Sequence, residues 1–114
     1  MKKILWLDDL RQPPVFLWEK FDVIFWIKSY DVFCWHVEEN TLPDFVSFDH
    51  DLSDFRYDDN CLIEKTGYDA AKFLVEYCIE KKLKLPEYNC HSMNPVGKDN
   101  ILKLLKSYDR IASV

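Results

Sequence analysis

The chain has 114 residues, 48% hydrophobic and 31% charged, the balance of one globular domain over residues 1–114 rather than a linker, fibrous or disordered chain. Its 15 basic and 20 acidic side chains leave a net charge of −5, which excludes duplex nucleic acid as a partner held by bulk charge. No apolar stretch reaches the roughly 20 residues that cross a bilayer, so no membrane partner is expected.

The chain opens on Met-Lys-Lys, and the apolar residues that follow are too few for a signal-peptide core and meet Asp8 and Asp9 at once. The four cysteines, Cys34, Cys61, Cys78 and Cys90, form no C-x-x-C pair. They read as reduced thiols of a cytoplasmic protein, with Cys78 in core packing.

Residues 3–7 are a continuous apolar run, the pattern of a central parallel strand. Arg11-Gln12-Pro13-Pro14 cannot lie inside a helix, and a short helix is expected near Phe16–Lys20. Residues 22–27 are β-branched and aromatic, a second strand. Ser29 can cap a helix over Tyr30–Glu39. Phe45–Phe48 is a third strand ending in Asp49-His50-Asp51.

Residues 52–65 are polar, with no clear period, and read as a loop in which Asp54, Asp58 and Asp59 are solvated. Thr66 with Asp69 fits a capping box opening a helix to about Lys82, with Ala70, Leu74, Tyr77 and Cys78 on its apolar face. Glu87–Cys90 reads as a fourth strand followed by His91-Ser92, and Asn94–Gly97 as a turn. Lys98–Lys106 is a last helix, and Arg110–Val114 a candidate fifth strand. The aromatic residues Trp18, Phe25, Trp26 and Phe33 are expected in the core.

Alternating strands and helices imply a parallel sheet with helices on both faces: a flavodoxin-like, three-layer α/β sandwich of four or five strands. Ligands of such sheets bind beyond the carboxyl ends of the strands, where this chain carries Asp8-Asp9, Asp49-His50-Asp51 and His91-Ser92. The first and third strands are neighbours in this order, so their acids converge. Hard oxygen ligands at Asp8, Asp9, Asp49 and Asp51 suit Mg²⁺ or Mn²⁺. The segment from Ser92 through Asn94 and Gly97 to Lys98 opens a helix, whose exposed amides favour an anion.

The runs Leu5-Trp6-Leu7-Asp8-Asp9-x-Arg11-x-Pro13, Ser47-Phe48-Asp49-His50-Asp51-Leu52, Thr66-Gly67-Tyr68-Asp69 and His91-Ser92-x-Asn94-Pro95-x-Gly97 resemble the cyclic-phosphate-processing receiver-like domain, a family related to the receivers of two-component response regulators. The resemblance spans residue 4 to about 105. It implies that Asp8 and Asp9 correspond to the acidic pair that holds Mg²⁺. Asp49 then takes the phosphoacceptor position, and Ser92 the hydroxyl position after the fourth strand. The receiver lysine after a fifth strand has no counterpart.

The similarity implies a metal-dependent hydrolase acting on a cyclic phosphate, such as the 2′,3′-cyclic phosphate of a nucleotide or RNA end. The candidate catalytic residues are His50, His91 and Asp49, either histidine serving as base and the other as acid. The candidate phosphate contacts are Arg11, Ser92, Asn94, Gly97 and Lys98. The alternatives are a receiver-like binding module without turnover and a phosphoacceptor signalling domain.

Overall fold

A computed structural model describes residues 1–112. In chain order the elements are β1 (Lys3–Leu7), α1 (Leu17–Lys20), β2 (Val23–Ile27), α2 (Tyr30–Glu39), β3 (Phe45–Phe48), β4 (Asp54–Asp58), β5 (Cys61–Lys65), α3 (Gly67–Lys81), β6 (Glu87–Cys90) and α4 (Pro95–Ala112). Four strands form a parallel sheet in the order β2-β1-β3-β6, with helices on both faces, the receiver or flavodoxin-like arrangement. The apolar first strand is central and pairs with β3, register Trp6 to Ser47.

The two faces are unequal. Strand side chains alternate in direction, so Leu5, Leu7, Val46, Phe48 and Cys90 face one side. There α2, α3 and α4 cover them with Phe33, Val37, Leu74, Cys78, Ile101 and Leu105, all in one buried cluster. The other face, with Ile4, Trp6 and Phe45, meets only the four-residue α1, through Leu17 and the following Phe21.

Helix starts follow the expected chemistry. The Ser29 hydroxyl accepts from the Val32 amide. Thr66 and Asp69 close a capping box, with the Thr66 amide donating to the Asp69 carboxylate at 2.8 Å. No helix among the described residues is long and apolar enough to cross a membrane.

Several expectations are corrected. Residues 52–65 are not a featureless loop: β4 and β5 pair as an antiparallel hairpin around Asp59 and Asn60. Both turn residues have positive φ, 49° and 66°, the geometry of a tight two-residue hairpin. Nor is Asp54 merely solvated: it accepts from the Tyr30 amide at the start of α2. Arg56 binds both Asp54 and Asp31, which ties the hairpin to that helix.

The last helix begins at Pro95, within the expected turn, and continues to Ala112, so Arg110–Ala112 is helical rather than strand. Residues 113–114 of the expected fifth strand lie outside the described residues. Tertiary contacts hold the extra turns, because the Tyr108 hydroxyl donates to the Leu83 carbonyl and that of Tyr88 to Asp109. Trp18 is exposed, since α1 is too short to bury more than one stripe, while Phe33 is in the core and Phe25 and Trp26 are half-buried.

Gly67 sits where α3 meets the end of β3. Its amide donates to the His50 carbonyl at 2.7 Å, and a Cβ there would overlap the Asp49 carbonyl. Gly67→Ala is therefore expected to destabilise the fold by about 1–3 kcal/mol; urea unfolding checks this, and an unchanged midpoint would contradict the close approach.

His36 is buried against the Phe25 ring, centroids 4.4 Å apart. Burial, helped by the Lys3 charge, holds its pKa below the ordinary value. The unfolded chain then binds the proton more readily, so this contribution to stability is intact above about pH 6.5 and lost as pH falls through the folded pKa. Between pH 7 and 5 the wild type should lose more stability than His36→Phe, as measured by urea unfolding at both pH values.

Candidate active site

The ladder of the sheet continues one residue past its strands. The Asp8 amide donates to the Ile27 carbonyl, the Asp49 amide to Leu7 and the His91 amide to Phe48, at 2.9–3.0 Å. Because strand side chains alternate, Asp8 follows Trp6, Asp49 follows Ser47 and His91 follows Asn89 onto the thinly covered face. Ligand atoms of Asp8, Asp49 and His91 all lie within 4.8 Å of one another.

His91 spans the strand ends. Its Nε2 lies 3.0 Å from Asp8 Oδ2 and its Nδ1 2.7 Å from the Ser47 hydroxyl. The ring lies flat on the Trp6 indole, centroids 3.7 Å apart at 5°. Burial lowers the His91 pKa, outweighing the Asp8 carboxylate that opposes the shift. A neutral ring, with Nε2–H donating to Asp8 and Nδ1 accepting from Ser47, satisfies both neighbours.

Asp8 is 2% exposed and uses both oxygens: Oδ1 accepts the Leu10 and Arg11 amides, and Oδ2 faces His91. Two indoles fix the same loop, Trp6 donating to the Arg11 carbonyl and Trp26 to the Asp8 carbonyl. The Arg11 guanidinium reaches back to the His91 carbonyl at 3.3 Å. Asp49 is held above the ordinary carboxylate pKa, first by burial and then by the neighbouring Asp8 charge. The Ser92 hydroxyl and the His50 amide, both bonded to it, act in the other direction.

A second arrangement stands at the α4 start. His50 Nδ1 lies 2.9 Å from Asp51 Oδ1, and Asn94 donates to the other Asp51 oxygen. Asn94 also caps α4, its side-chain oxygen accepting from the Gly97 amide at 3.0 Å, with Pro95 in the first helical turn. Gly97 is buried because the His50 imidazole packs where its Cβ would be. Ser92 accepts from the Asn94 amide, and the positive charge of Lys98 acts on His91.

The expected residues thus divide. Asp8, Asp49 and His91 form one group, joined to Ser92, Asn94 and the start of α4. Asp51 pairs with His50 instead of joining the acids, and the half-buried Asp9 makes no hydrogen bond or ion pair among the described residues. Sequence reading missed Ser47 and Trp6 as neighbours of His91. The two-residue alternation carried the signal, since Ser47 must share a face with Asp49, and Trp6 with Asp8.

Two carboxylates and an imidazole nitrogen within reach of one another, one carboxylate held short of easy ionisation by burial and its neighbour, are a donor set that fits a divalent cation.

No curated protein and no solved structure matches the chain. The family model of the cyclic-phosphate processing receiver domain matches residues 3–107, which include all four strands of the parallel sheet and every residue of this site. The chain belongs to the cyclic-phosphate processing receiver domain family.

Proposed function

We propose that the chain is a metal-dependent hydrolase that opens a cyclic phosphate to a phosphomonoester. The observation carrying this reading is the convergence of Asp8, Asp49 and His91 beside the His50–Asp51 pair and the start of α4. A Mg²⁺ or Mn²⁺ ion held by Asp8 and Asp49, with Asp9 next in the chain as a further carboxylate, would polarise a phosphoryl oxygen.

The protein's own groups supply the rest. His50 donates Nδ1–H to Asp51, which leaves Nε2 to take a proton from the attacking water. The water oxygen bonds to phosphorus as one ring P–O bond breaks. In this reading His91 protonates the departing oxygen, and a bound phosphate anion would oppose the burial that lowers its pKa. The Ser92 hydroxyl, the Lys98 ammonium and the Gly97 end of α4 favour negative charge on the phosphate, while Asn94 orders that helix start and Arg11 braces the strand end carrying His91.

A second reading, binding without turnover, is favoured by one feature: both ring nitrogens of His91 are already engaged. Turnover separates the two.

The ion gives the first test. Mg²⁺ or Mn²⁺ should raise the melting temperature of the wild type, by about 2.7 kcal/mol of stabilisation at a hundredfold excess over Kd. Asp9→Asn combined with Asp49→Asn should abolish the rise. An equal rise in both proteins removes this site from the account.

Turnover gives the second. With a panel of cyclic phosphates and Mg²⁺ or Mn²⁺, His50→Ala and His91→Ala should each lose about 10²–10⁴-fold in rate with circular dichroism unchanged. His36→Ala, on a helix away from the strand ends, should lose little. A wild-type rate in either site variant, or no turnover by any protein, overturns the hydrolase.

A further inference from the structure

The thin face of the sheet carries a cleft of about 410 Å³ that the proposed chemistry does not use. Its size is that of a small-molecule site, and its lining has the usual make-up of an apolar floor with a few fixed polar groups. Ile4, Trp6 and Phe45 form the floor, and Phe21 after α1 closes one end. The exposed Asn89 brings a carboxamide to it, and the Ser47 hydroxyl beneath is bonded to His91 Nδ1.

His91 lines the cleft as well. The side chain that reaches Asp8 is therefore the wall shared with the acidic site, so a ligand held by its phosphate there extends directly into the cleft. The rim carries Lys2 and Lys20, whose ammonium groups stand over the Phe21 and Phe16 rings at 5.2 and 5.8 Å, together with the exposed Glu87. The other clefts differ: the one beside α2 and α3 is lined by Glu38, Glu76 and Glu80 and lies away from the histidines.

From these observations we infer that the cleft is a nucleobase site and that, resting on the function proposed above, the substrate is a nucleoside cyclic phosphate rather than a base-free one. A nucleobase has flat faces for the apolar floor and mixed donors and acceptors on its edge. The Asn89 carboxamide, which offers one of each, can pair with such an edge in the way an asparagine reads adenine.

The test uses three probes: adenosine, adenosine 2′,3′-cyclic phosphate and ethylene glycol cyclic phosphate. Adenosine alone should shift the NMR signals of the Asn89 carboxamide and the Trp6 indole, and Asn89→Trp, which fills the cleft from an exposed edge position, should abolish binding. By titration calorimetry the wild type should bind the adenosine compound about tenfold or more tightly than the ethylene glycol one. Asn89→Trp should remove that margin and leave ethylene glycol cyclic phosphate binding unchanged. Adenosine shifts without binding of either cyclic phosphate would keep the nucleobase site and remove the proposed function. Equal affinity for the two cyclic phosphates with no adenosine shift overturns the inference, as does a concentration-dependent dimer that Asn89→Trp dissolves, since the face would then join two copies of the chain.

Discussion

Everything at the candidate site depends on one rung of backbone hydrogen bonds. The amides of Asp8, Asp49 and His91 continue the pairing of β1, β3 and β6 one position beyond the strands. Side-chain direction in a sheet has a period of two, so a slip of one residue would turn all three groups to the opposite face. Register is protected by the thick core below: Leu5, Leu7, Val46, Phe48 and Cys90 can be buried against α2–α4 only when Trp6, Ser47 and Asn89 face the other way. The hydrophobic pattern that stabilises the fold is thus the same constraint that aims the carboxylates and the imidazole.

That rung brings together groups that resist each other. Asp49 is desolvated and lies near a second carboxylate, and His91 is buried enough to favour its neutral form. Left alone, such a set costs stability, because buried charges of one sign have little to balance them. The surroundings reduce the cost with fixed dipoles: two backbone amides on Asp8, a hydroxyl and an amide on Asp49, a hydroxyl against His91. Among the described residues no lysine or arginine forms an ion pair with Asp8 or Asp49, and the divalent cation proposed above would supply that missing positive charge.

The framework of the fold was legible because its signals are local or periodic. The apolar run Lys3–Leu7, the Ser29 cap and the Thr66–Asp69 capping box each act over a few residues. The β4–β5 hairpin was not legible, because it buries little: Phe55, Tyr57 and Leu62 are exposed, so no core face imposed an alternating pattern. Its turn uses Asp59-Asn60, which tolerate positive φ without the glycine that usually marks such a turn. The length of α4 was hidden for a different reason, since Tyr108 and Asp109 are held by partners far away in sequence. At the site, clustering at the strand ends could be read from topology. The diagonal reach of His91 to Asp8 could not, because it depends on a rotamer and on the Trp6 plate beneath the ring.

The two sheet faces divide the work unequally, and the division has a physical basis. Three helices on one side bury the large aliphatic and aromatic side chains, and most hydrophobic stabilisation must come from there. The other side keeps a four-residue helix, two indoles committed to backbone carbonyls and a floor with polar gaps. A face that contributes less to stability can carry Ser47, Asn89 and a half-buried histidine without endangering the fold. Such residues would be costly in the thick core, where an unpaired polar group has no access to water. The groups able to recognise a ligand therefore collect on the thin side, and His91 links them to the acids at its edge.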